Sequence, residues 1–468
     1  MTTQYHLIGI GGCGMAGLAQ MLKQKGFKVS GSDNADSPLL NFLRNLGIQI
    51  FLGHQAEQVI GADQVIISSA IKSNNPELIN AKKLHIPIIH RAQALAELTQ
   101  DKKTILILGS HGKTTTTSLI TSIFIAAGQD PSYAIGATFY STGLNAYLGS
   151  GNIFIVEGDE SDQSFKYFNP DVLILTNIDE DHLEAYDHDL EKLKKTYLQF
   201  IQKFSRNSPN PKNPLIILNH EDAHIRSLIP EIIKTQARIK TYGYQNSDLN
   251  ISHISITGMQ TSFQINQTKF SLNLPGDHNA ENACAALLAA MELDIDINAM
   301  QEGLKNYQGA SRRCEVHGEY LFNNTQTQTQ IPFLLIEDYG HHPVEISVTI
   351  KALKKAHPNK RLVLIFQPHR YTRTQALFNS FVNILSTADV LILLDIYPAS
   401  EPPIPGISSA ALGAEIAKIK NKDFYLSSLS TCIQKLQEII KPNDLVLIQG
   451  AGDIHECVGE IKDISRQP

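Results

Sequence analysis

The chain has 468 residues, of which 42% are hydrophobic and 18% charged, a composition typical of a globular protein. This length suggests about three domains. The formal net charge is −6 and no basic block stands out, so nucleic acid is not expected as a partner. No run of about 18 apolar residues is present, and we expect no membrane partner. The five cysteines are far apart without a CxxC pair, which favours reduced thiols and a cytoplasmic location.

Residues 1–98 begin with a pattern typical of dinucleotide-binding folds. A strand predicted over residues 5–10 runs into a G-x-G-x-x-G spacing that contains Gly11 and Gly14, and Asp33 ends the next strand about 20 residues later. The pattern predicts a diphosphate at the following helix and a ribose hydroxyl on Asp33. It does not distinguish a nicotinamide cofactor from a nucleotide-sugar, and close helix–strand packing without a ligand remains an alternative.

Two further strands in this region also end in polar residues. They are predicted over residues 65–69 and 86–89, and they end at Ser69 and just before His90. Ligands of doubly wound sheets bind at the carboxyl ends of strands. Ser69 and His90 are therefore candidates for the same ligand.

Residues 104–118, TILILGSHGKTTTTS, predict a phosphate-binding loop. An apolar strand over residues 104–108 leads into two glycines, then Lys113 and Thr114, then an apolar helical pattern. Glycines let backbone N–H groups surround an anion, the lysine reaches the outer phosphates, and the hydroxyl can hold Mg²⁺. The loop is G-x-x-G-K-T, shorter than the usual G-x-x-x-x-G-K-[ST]. A tight strand-to-helix turn with a solvated lysine is the alternative.

Two apolar strands of the central region end in carboxylates. Residues 152–156 lead into EGDESD, and residues 171–175 lead into TNIDEDH. Mg²⁺ prefers oxygen ligands, and one or two carboxylates beside phosphate oxygens suffice for it. Glu157 is the preferred ligand because it follows its strand directly. His182 is a less usual ligand for Mg²⁺, and the neighbouring acids could simply be solvated.

The central region closes with two amides and two arginines. Asn279 and Asn282 lie three residues apart near the start of a predicted helix, so they share one face. Their amides could contact a base edge, with helix capping as the alternative. Arg312 and Arg313 follow at a predicted hinge, where a guanidinium could meet a phosphate.

From residue 314 onward, strands alternate with helices, which predicts a parallel sheet. Residues 323–330 form a polar tract that we expect to be a hairpin tip or a loop. The strand ends again carry the polar chemistry. The predicted strands cover residues 333–336, 361–366, 390–394 and 445–448, and the candidate anion-binding side chains at their ends are His341, His342, His369, Arg370 and Arg373.

These motifs occur together, in the same order, in a known family. The chain resembles the Mur ligase family of cell-wall synthesis along essentially its whole length, and several of the matching segments are long enough to be specific. The segments are GIGGCGMAGLA (9–19), SSAI (68–71), HRAQALAEL (90–98), GSHGKTTTTS (109–118), EGDESD (157–162), TNIDEDHLE (176–184), PGDHNAEN (275–282), RRCE (312–315), EDYGHHPVEI (337–346), FQPHRYTRT (366–374) and QGAGDI (449–454).

The resemblance implies an α/β protein of three αβ domains. Residues 1–98 would be a Rossmann-like domain for the UDP-sugar, residues 99–313 a P-loop-type central domain with a mixed sheet for ATP and Mg²⁺, and residues 314–468 a Rossmann-like C-terminal domain. The implied reaction joins L-alanine to the lactyl carboxylate of UDP-N-acetylmuramate through an acyl phosphate, releasing ADP and phosphate. A monomer or a homodimer is expected.

The resemblance also assigns roles to individual residues. It implies catalytic roles for Lys113, Asp338, His342, Arg370 and Arg373. It implies ATP contacts from Gly109, Ser110, His111, Gly112, Lys113, Thr114, Thr115, Asn279, Asn282 and Arg312. The UDP-sugar would contact Gly11, Gly14, Asp33, Ser69 and His90, and the metal ligands would be Thr114, Glu157 and His182.

The sequence departs from the family pattern at a few positions, of which Asp277 and Ser400 change charge or reach. Three alternatives stay open. One is the related ligase that attaches a recycled murein tripeptide to the same UDP-sugar, against which the segment at residues 9–19 argues. Another is an NAD-dependent oxidoreductase, although hydride transfer needs neither the phosphate loop nor the carboxylates. The third is a non-catalytic UDP-sugar sensor.

Overall fold

The structure, a computed structural model, describes residues 2–181, 183–207, 214–323, 329–419 and 423–465. Helices surround three sheets of five, ten and six strands, which confirms the α/β class. The chain divides into two compact units. Unit 1 contains Met1–Ile254, Ser262–Leu272 and Asn279–Ala310, and unit 2 contains Ser255–Thr261, Asn273–His278 and Ser311–Pro468.

The first sheet of unit 1 is fully parallel, with strand order β3-β2-β1-β4-β5. Strand order reverses between β1 and β4, which is the point at which doubly wound sheets bind ligands. Its strands are β1 (Gln4–Ile8), β2 (Lys28–Asp33), β3 (Gln49–Leu52), β4 (Gln64–Ile67) and β5 (Ile88–His90), and its helices are α1 (Cys13–Gln24), α2 (Pro38–Asn45), α3 (Pro76–Lys83) and α4 (Arg91–Thr99).

The second sheet is mixed, as expected for the central region. Its strands lie in the order β15-β14-β13-β12-β11-β10-β6-β9-β7-β8, and β7 and β8 are antiparallel. The strands are β6 (Lys103–Leu108), β7 (Ser132–Phe139), β8 (Leu144–Tyr147), β9 (Ile153–Glu157), β10 (Val172–Leu175), β11 (Leu215–Asn219), β12 (Arg238–Gly243), β13 (Leu249–Thr257), β14 (Gln260–Ile265) and β15 (Thr268–Leu272). The helices are α5 (Lys113–Ala126), α6 (Leu190–Asn207), α7 (Ala223–Ile232), α8 (Asp277–Glu292) and α9 (Ile297–Lys305).

One apolar core spans both sheets of unit 1. Leu7 of the first sheet and Leu106 of the second belong to the same cluster of buried side chains, together with Ala146 and Phe165. Burying this much apolar surface is the main favourable term in folding. The regions predicted as the first two domains therefore pack together in unit 1.

The sheet of unit 2 has the order β16-β17-β21-β18-β19-β20, and it is parallel except for the antiparallel pair β16–β17. An apolar cluster covers each face. The strands are β16 (Glu315–Asn323), β17 (Gln330–Asp338), β18 (Leu362–Phe366), β19 (Val390–Leu394), β20 (Asp423–Ser427) and β21 (Asp444–Gln449). The helices are α10 (Pro343–Ala356), α11 (Tyr371–Ala376), α12 (Phe378–Leu385), α13 (Ser409–Ile419), α14 (Cys432–Ile439) and α15 (Glu456–Ile464).

Most predicted strands match observed strands to within a few residues. The polar tract follows β16, but its residues 324–328 lie outside the described part of the chain. Among the described helices, none is both long and apolar enough to cross a membrane.

Candidate functional site

The phosphate loop connects β6 to α5 with a backbone that requires glycine. Gly109 and Gly112 have φ angles of 133° and 79°, in the left-handed region. A Cβ on Gly109 would lie 2.1 Å from Thr176 Oγ1, and one on Gly112 would lie 2.5 Å from Asn282 Oδ1. The loop leads directly into the N-terminus of α5, whose first N–H groups favour an anion.

Side chains that follow β10 hold this loop in place. The backbone N–H of His111 donates to Asn177 Oδ1 at 2.7 Å, and Thr176 Oγ1 donates to the His111 carbonyl at 2.7 Å. The Asp179 N–H donates to Ser110 Oγ at 2.9 Å, and His111 Nε2 lies 2.8 Å from Asp179 Oδ2. The TNID segment therefore fixes the loop, whereas the sequence favoured a solvated side chain at Asp179.

Lys113 lies over the loop with its ammonium group in a polar cage. Its Nζ donates to the carbonyls of Gly109 and Ser110 at 2.6 and 3.1 Å and to Glu160 Oε1 at 2.8 Å. Burial lowers the pKa of Lys113, but the carboxylates of Glu160 and Glu157 raise that pKa by more, so it lies above its ordinary value. The lysine keeps a positive charge available for a phosphate.

Two predicted metal ligands meet at the start of α5. Thr114 Oγ1 donates to Glu157 Oε1 at 3.0 Å, and the Gly136 N–H donates to Glu157 Oε2 at 2.8 Å. A hydroxyl and a carboxylate next to a phosphate loop are the oxygen donors that Mg²⁺ prefers. Thr114 and Glu157 thus fit the expected ion. His182 lies outside the described residues, and its metal role stays a prediction.

The two amides of α8 share one face, as predicted. Asn282 Nδ2 donates to Asn279 Oδ1 at 3.2 Å, and Thr116 Oγ1 of α5 donates to Asn282 Oδ1 at 3.3 Å. Asn282 also lies beside Gly112. Asn282 therefore lies against the phosphate loop, where a bound nucleotide would be in reach.

The glycine fingerprint folds around Asp33. The Gly11 N–H donates to Asp33 Oδ2 at 2.8 Å, and a Cβ on Gly11 would lie 2.8 Å from the same oxygen. A Cβ on Gly14 would lie 3.1 Å from Arg91 Nη1. A guanidinium thus lies against the fingerprint, although the sequence placed only its neighbour His90 in the site.

Ser69 and His90 contact each other, and an acidic residue of the central region joins them. His90 Nε2 lies 3.1 Å from Ser69 Oγ, and Ser69 Oγ donates to Asp162 Oδ2 at 2.6 Å. The Ala92 N–H donates to His90 Nδ1 at 3.2 Å, which assigns the ring proton to Nε2. Burial lowers the pKa of His90, so the neutral imidazole is favoured.

In unit 2, Asp338 sits at the end of β17 as a buried acceptor. It accepts from the N–H groups of Cys314 and Gly340 at 2.9 Å each and from Gln449 Nε2 at 2.8 Å. Burial raises its pKa above the ordinary value despite these donors and the nearby Arg313.

Arg312 contacts the residues at the end of β17. Its Nε is 2.8 Å from Glu337 Oε1, its Nη2 donates to the Gly450 carbonyl at 2.5 Å, and its guanidinium lies 5.0 Å from the centre of the Tyr339 ring. Arg312 has a φ of 58°, a conformation unusual for a residue with a side chain. The arginine is thus held in one orientation within its unit.

The remaining predicted residues of unit 2 follow strand ends. His342 caps α10, where its side chain accepts from the Val344 N–H. Arg370 precedes α11 with a φ of 71°, and Arg373 is buried with its Nη1 3.4 Å from His369 Nδ1.

The two positions that depart from the family pattern have local explanations. Asp277 pairs with Lys355, at 3.0 and 3.3 Å from its two oxygens, within unit 2. Ser400 occupies a turn with a φ of 71°. Neither arrangement removes a residue from the sites described above.

Sequence reasoning did not select three acidic or basic side chains that the structure places in these sites: Arg91, Glu160 and Asp162. Each lies shortly after a strand, in a segment that also carries predicted site residues. This position was the sequence feature that could have identified them. Which acid of EGDESD faces which partner depends on the turn that follows β9.

Comparison with known proteins identifies the family. The model for the Mur ligase family catalytic domain matches residues 4–103, that for the Mur ligase middle domain matches residues 107–290, and that for the Mur ligase glutamate ligase domain matches residues 323–452.

Individual relatives match over nearly the full length. UDP-N-acetylmuramate–L-alanine ligase of Neisseria meningitidis is 41% identical over 99% of this chain and 98% of its own, and the enzyme of that name from Trichlorobacter lovleyi is 42% identical over 97% and 96%. The crystal structure of a UDP-N-acetylmuramate–alanine ligase from Thermotoga maritima has a TM-score of 0.80 at 26% identity and 98% coverage of both chains. A murein peptide ligase from Psychrobacter arcticus, with a TM-score of 0.68 at 23% identity and 98% coverage of both chains, shares the fold. The chain belongs to the Mur ligase family.

Proposed function

We propose that this protein joins L-alanine to the lactyl carboxylate of UDP-N-acetylmuramate at the expense of ATP, through an acyl phosphate, releasing ADP and phosphate. The arrangement around Lys113 is the observation that carries the proposal, because a charged lysine, a glycine loop and a helix N-terminus form a site for a nucleoside triphosphate. The similarity to L-alanine ligases at 41% identity over nearly the whole chain supports this choice of substrates.

The chemistry requires an activated carboxyl group. A carboxylate is a poor acylating agent, and attack of its oxygen on the γ-phosphorus of ATP, with ADP leaving, gives an acyl phosphate. The amine of L-alanine then attacks the carbonyl carbon, and phosphate leaves with the electron pair of the broken C–O bond. In such reactions the protein contributes positioning and charge neutralisation.

In unit 1, this role falls to the phosphate loop. The N–H groups of Gly112 and the first turn of α5 would bind phosphate oxygens, and Lys113 would neutralise charge at the transferred group. Thr114 and Glu157 would hold Mg²⁺, which supplies positive charge to the phosphates when bound. Asn279 and Asn282 would contact the nucleotide.

The first sheet of unit 1 would hold the UDP-sugar. Gly11 precedes α1 and Gly14 lies in its first turn, where the diphosphate would bind, and Asp33 would bind a ribose hydroxyl. Ser69 and His90 offer polar groups at the adjacent strand ends. Arg91, which lies against Gly14, adds a positive charge beside the expected diphosphate.

The residues of unit 2 are assigned by resemblance. Asp338, His342, Arg370 and Arg373 would act on the substrates and the transferred phosphate, and Arg312 would contact ATP.

The domain boundaries at residues 98 and 313 belong to the same proposal, as do a cytoplasmic location and a monomeric or dimeric state.

Isotope transfer tests the reaction directly. The protein is incubated with ATP, Mg²⁺, L-alanine and UDP-N-acetylmuramate whose lactyl carboxylate carries heavy oxygen, and the products are measured by mass spectrometry. We expect the L-alanyl adduct, ADP and phosphate in equal amounts, with one heavy oxygen in each phosphate. Formation of AMP and pyrophosphate, or phosphate without the label, would contradict the acyl-phosphate route.

A further inference from the structure

One short segment of unit 1 contacts both nucleotide sites. We call residues 157–162 the bridging segment. Its Glu157 accepts from Thr114 at 3.0 Å and its Glu160 from Lys113 at 2.8 Å, both in the phosphate loop region. Asp162, at the other end of the segment, accepts from Ser69 at 2.6 Å.

The bridging segment is held firmly along its length. The Gly158 N–H donates to the Ile107 carbonyl at 2.9 Å, and a Cβ on Gly158 would lie 2.3 Å from Leu108 Cδ2. Asp159 Oδ1 accepts from the Ser161 N–H at 2.9 Å, which fixes a tight turn. The segment is thus tied to β6 at Gly158 and held in its own turn at Asp159.

The contacts of Asp162 orient the predicted UDP-sugar residues. His90 Nε2–H points at Ser69 Oγ, and the Ser69 hydroxyl proton then points at Asp162 Oδ2. His90 Nε2 is itself 3.6 Å from Asp162 Oδ2, and its ring stacks on Tyr167 with 5.9 Å between ring centres. The serine and the histidine are thus aligned by a carboxylate of the central region.

Hydrogen bonds from neighbouring residues keep the Asp162 carboxylate ionised. Burial raises the pKa of Asp162, but hydrogen bonds from Ser164 and Ser69 lower the pKa by more, so it lies below its ordinary value. The other oxygen of Asp162 accepts from the Ser164 N–H at 2.9 Å. Asp162 is therefore an ionised acceptor, and charge-assisted hydrogen bonds of this kind are among the stronger ones.

We propose that Asp162 is a positioning residue that couples the UDP-sugar site to the phosphate loop through the bridging segment. A UDP-sugar that engages Ser69 and His90 alters their bonds to Asp162, and the same segment holds Lys113 and Thr114. Coupling between two ligands is reciprocal, so ATP must change UDP-sugar affinity by the same factor. The inference rests on the proposed function for the identity of the two ligands.

Binding measurements on the full chain test the coupling without turnover. Calorimetry gives the Kd of UDP-N-acetylmuramate and of a non-hydrolysable ATP analogue with Mg²⁺, each measured with and without the other ligand. In the wild type we expect one ligand to change the affinity of the other by about fivefold or more. In Asp162→Asn we expect the factor to fall close to one. The variant should also bind UDP-N-acetylmuramate about fivefold more weakly, the equivalent of one ordinary hydrogen bond.

Asp159→Asn is the matched control. This variant removes one negative charge from the same segment as Asp162→Asn does. The Asp159 side chain is 44% exposed, and its Oδ2 lies 4.0 Å from Arg91 Nη2. An asparagine there can still accept from the Ser161 N–H. We expect this variant to keep the wild-type coupling factor.

Ser69→Ala is a second variant, which removes the donor to Asp162. It should also lose the coupling, and combining it with Asp162→Asn should add little, since both act through one bond. Equal nucleotide affinities with and without the UDP-sugar in the wild type, or unchanged coupling in both variants, would overturn the inference. If the coupling is absent but the wild type still forms the L-alanyl adduct, only the inference fails and the proposed function stands. If the wild type binds no UDP-N-acetylmuramate at all, both fall together.

Discussion

At the residue scale, the proposed phosphate chemistry would depend most on Lys113. We expect Lys113→Ala to lower the turnover rate by about a hundredfold or more, since it removes the charge that faces the transferred phosphate. Without ATP, the Kd of UDP-N-acetylmuramate should change by less than about twofold, because the variant leaves the contacts among Asp162, Ser69 and His90 in place. Phosphate release and calorimetry measure the two effects.

The same substitution leaves the carboxylate of Glu160, which is 2% exposed, without its main partner. Removing one partner of a buried ion pair destabilises a fold strongly. The double variant Lys113→Ala/Glu160→Gln removes that charge and separates catalytic loss from misfolding. If the double variant folds but has also lost its affinity for the UDP-sugar, the assignment of the two sites is wrong.

Residue types and spacing predicted the part of the site that lies next to a strand or a helix start. Thr114 and Glu157 could be paired in this way, because each directly adjoins a regular element. Glu160 and Asp162 could not be assigned, because the turn after Gly158 decides their directions. Arg91 was not selected because its position against Gly14 results from packing of α4 on α1, which spacing does not show.

At the scale of elements, the junction between β6 and α5 depends on Gly112. We expect Gly112→Ala to destabilise the protein by about 1–2 kcal/mol for its positive φ alone. It should also weaken binding of the ATP analogue, because the Cβ would displace Asn282. Gly61→Ala is the matched control, since Gly61 has a φ of 87° with nothing within 4 Å of an added Cβ. Denaturation and calorimetry should show a similar strain cost in both variants and a loss of nucleotide affinity only in Gly112→Ala.

Helix α3 is attached to the first sheet through a buried carboxylate. Glu77 lies 2.5 Å from His6 Nε2 and 2.6 Å from His54 Nδ1, and it accepts from Ser32 Oγ at 2.6 Å. Burial raises the pKa of Glu77, but the bonds from His6, Ser32 and His54 lower that pKa by more, so it lies below its ordinary value of 4.5. A depressed folded-state pKa stabilises the fold above pH 4.5, and this stabilisation is lost as the pH falls through the folded-state value.

Hydrogen exchange can locate this effect. We expect the amides of α3, corrected for intrinsic rates, to lose protection as the pH falls below 4.5. In Glu77→Gln the protection of α3 should depend less on pH, while α2, which lacks this contact, serves as the internal reference. An unchanged pH dependence in the variant would show that another group controls the helix.

Several strands that the sequence did not predict lie at sheet edges. They are β3, β8, β16 and β20, of which β16 has an irregularity between Val316 and Gly318, whereas β7 and β12 were also missed although they lie inside the second sheet. Edge strands are covered less completely than central ones, so they lack the continuous apolar run that identified β6 and β21.

At the scale of the whole molecule, the three-sheet architecture followed from the order of the motifs. The division into two units did not, because it depends on a core that joins Leu7 and Leu106 across the predicted boundary at residue 98. Likewise, Ser255–Thr261 and Asn273–His278 belong to unit 2 although their neighbours in sequence belong to unit 1. Such exchanges depend on long-range packing, which no local pattern encodes.

We propose that this chain adds L-alanine to UDP-N-acetylmuramate. The most direct measurement is ATP-dependent phosphate release with UDP-N-acetylmuramate, comparing L-alanine with the tripeptide L-Ala-γ-D-Glu-meso-diaminopimelate. We predict release with L-alanine and little or none with the tripeptide. Release with the tripeptide alone would assign the protein to murein recycling, and no release with either would contradict a ligase function.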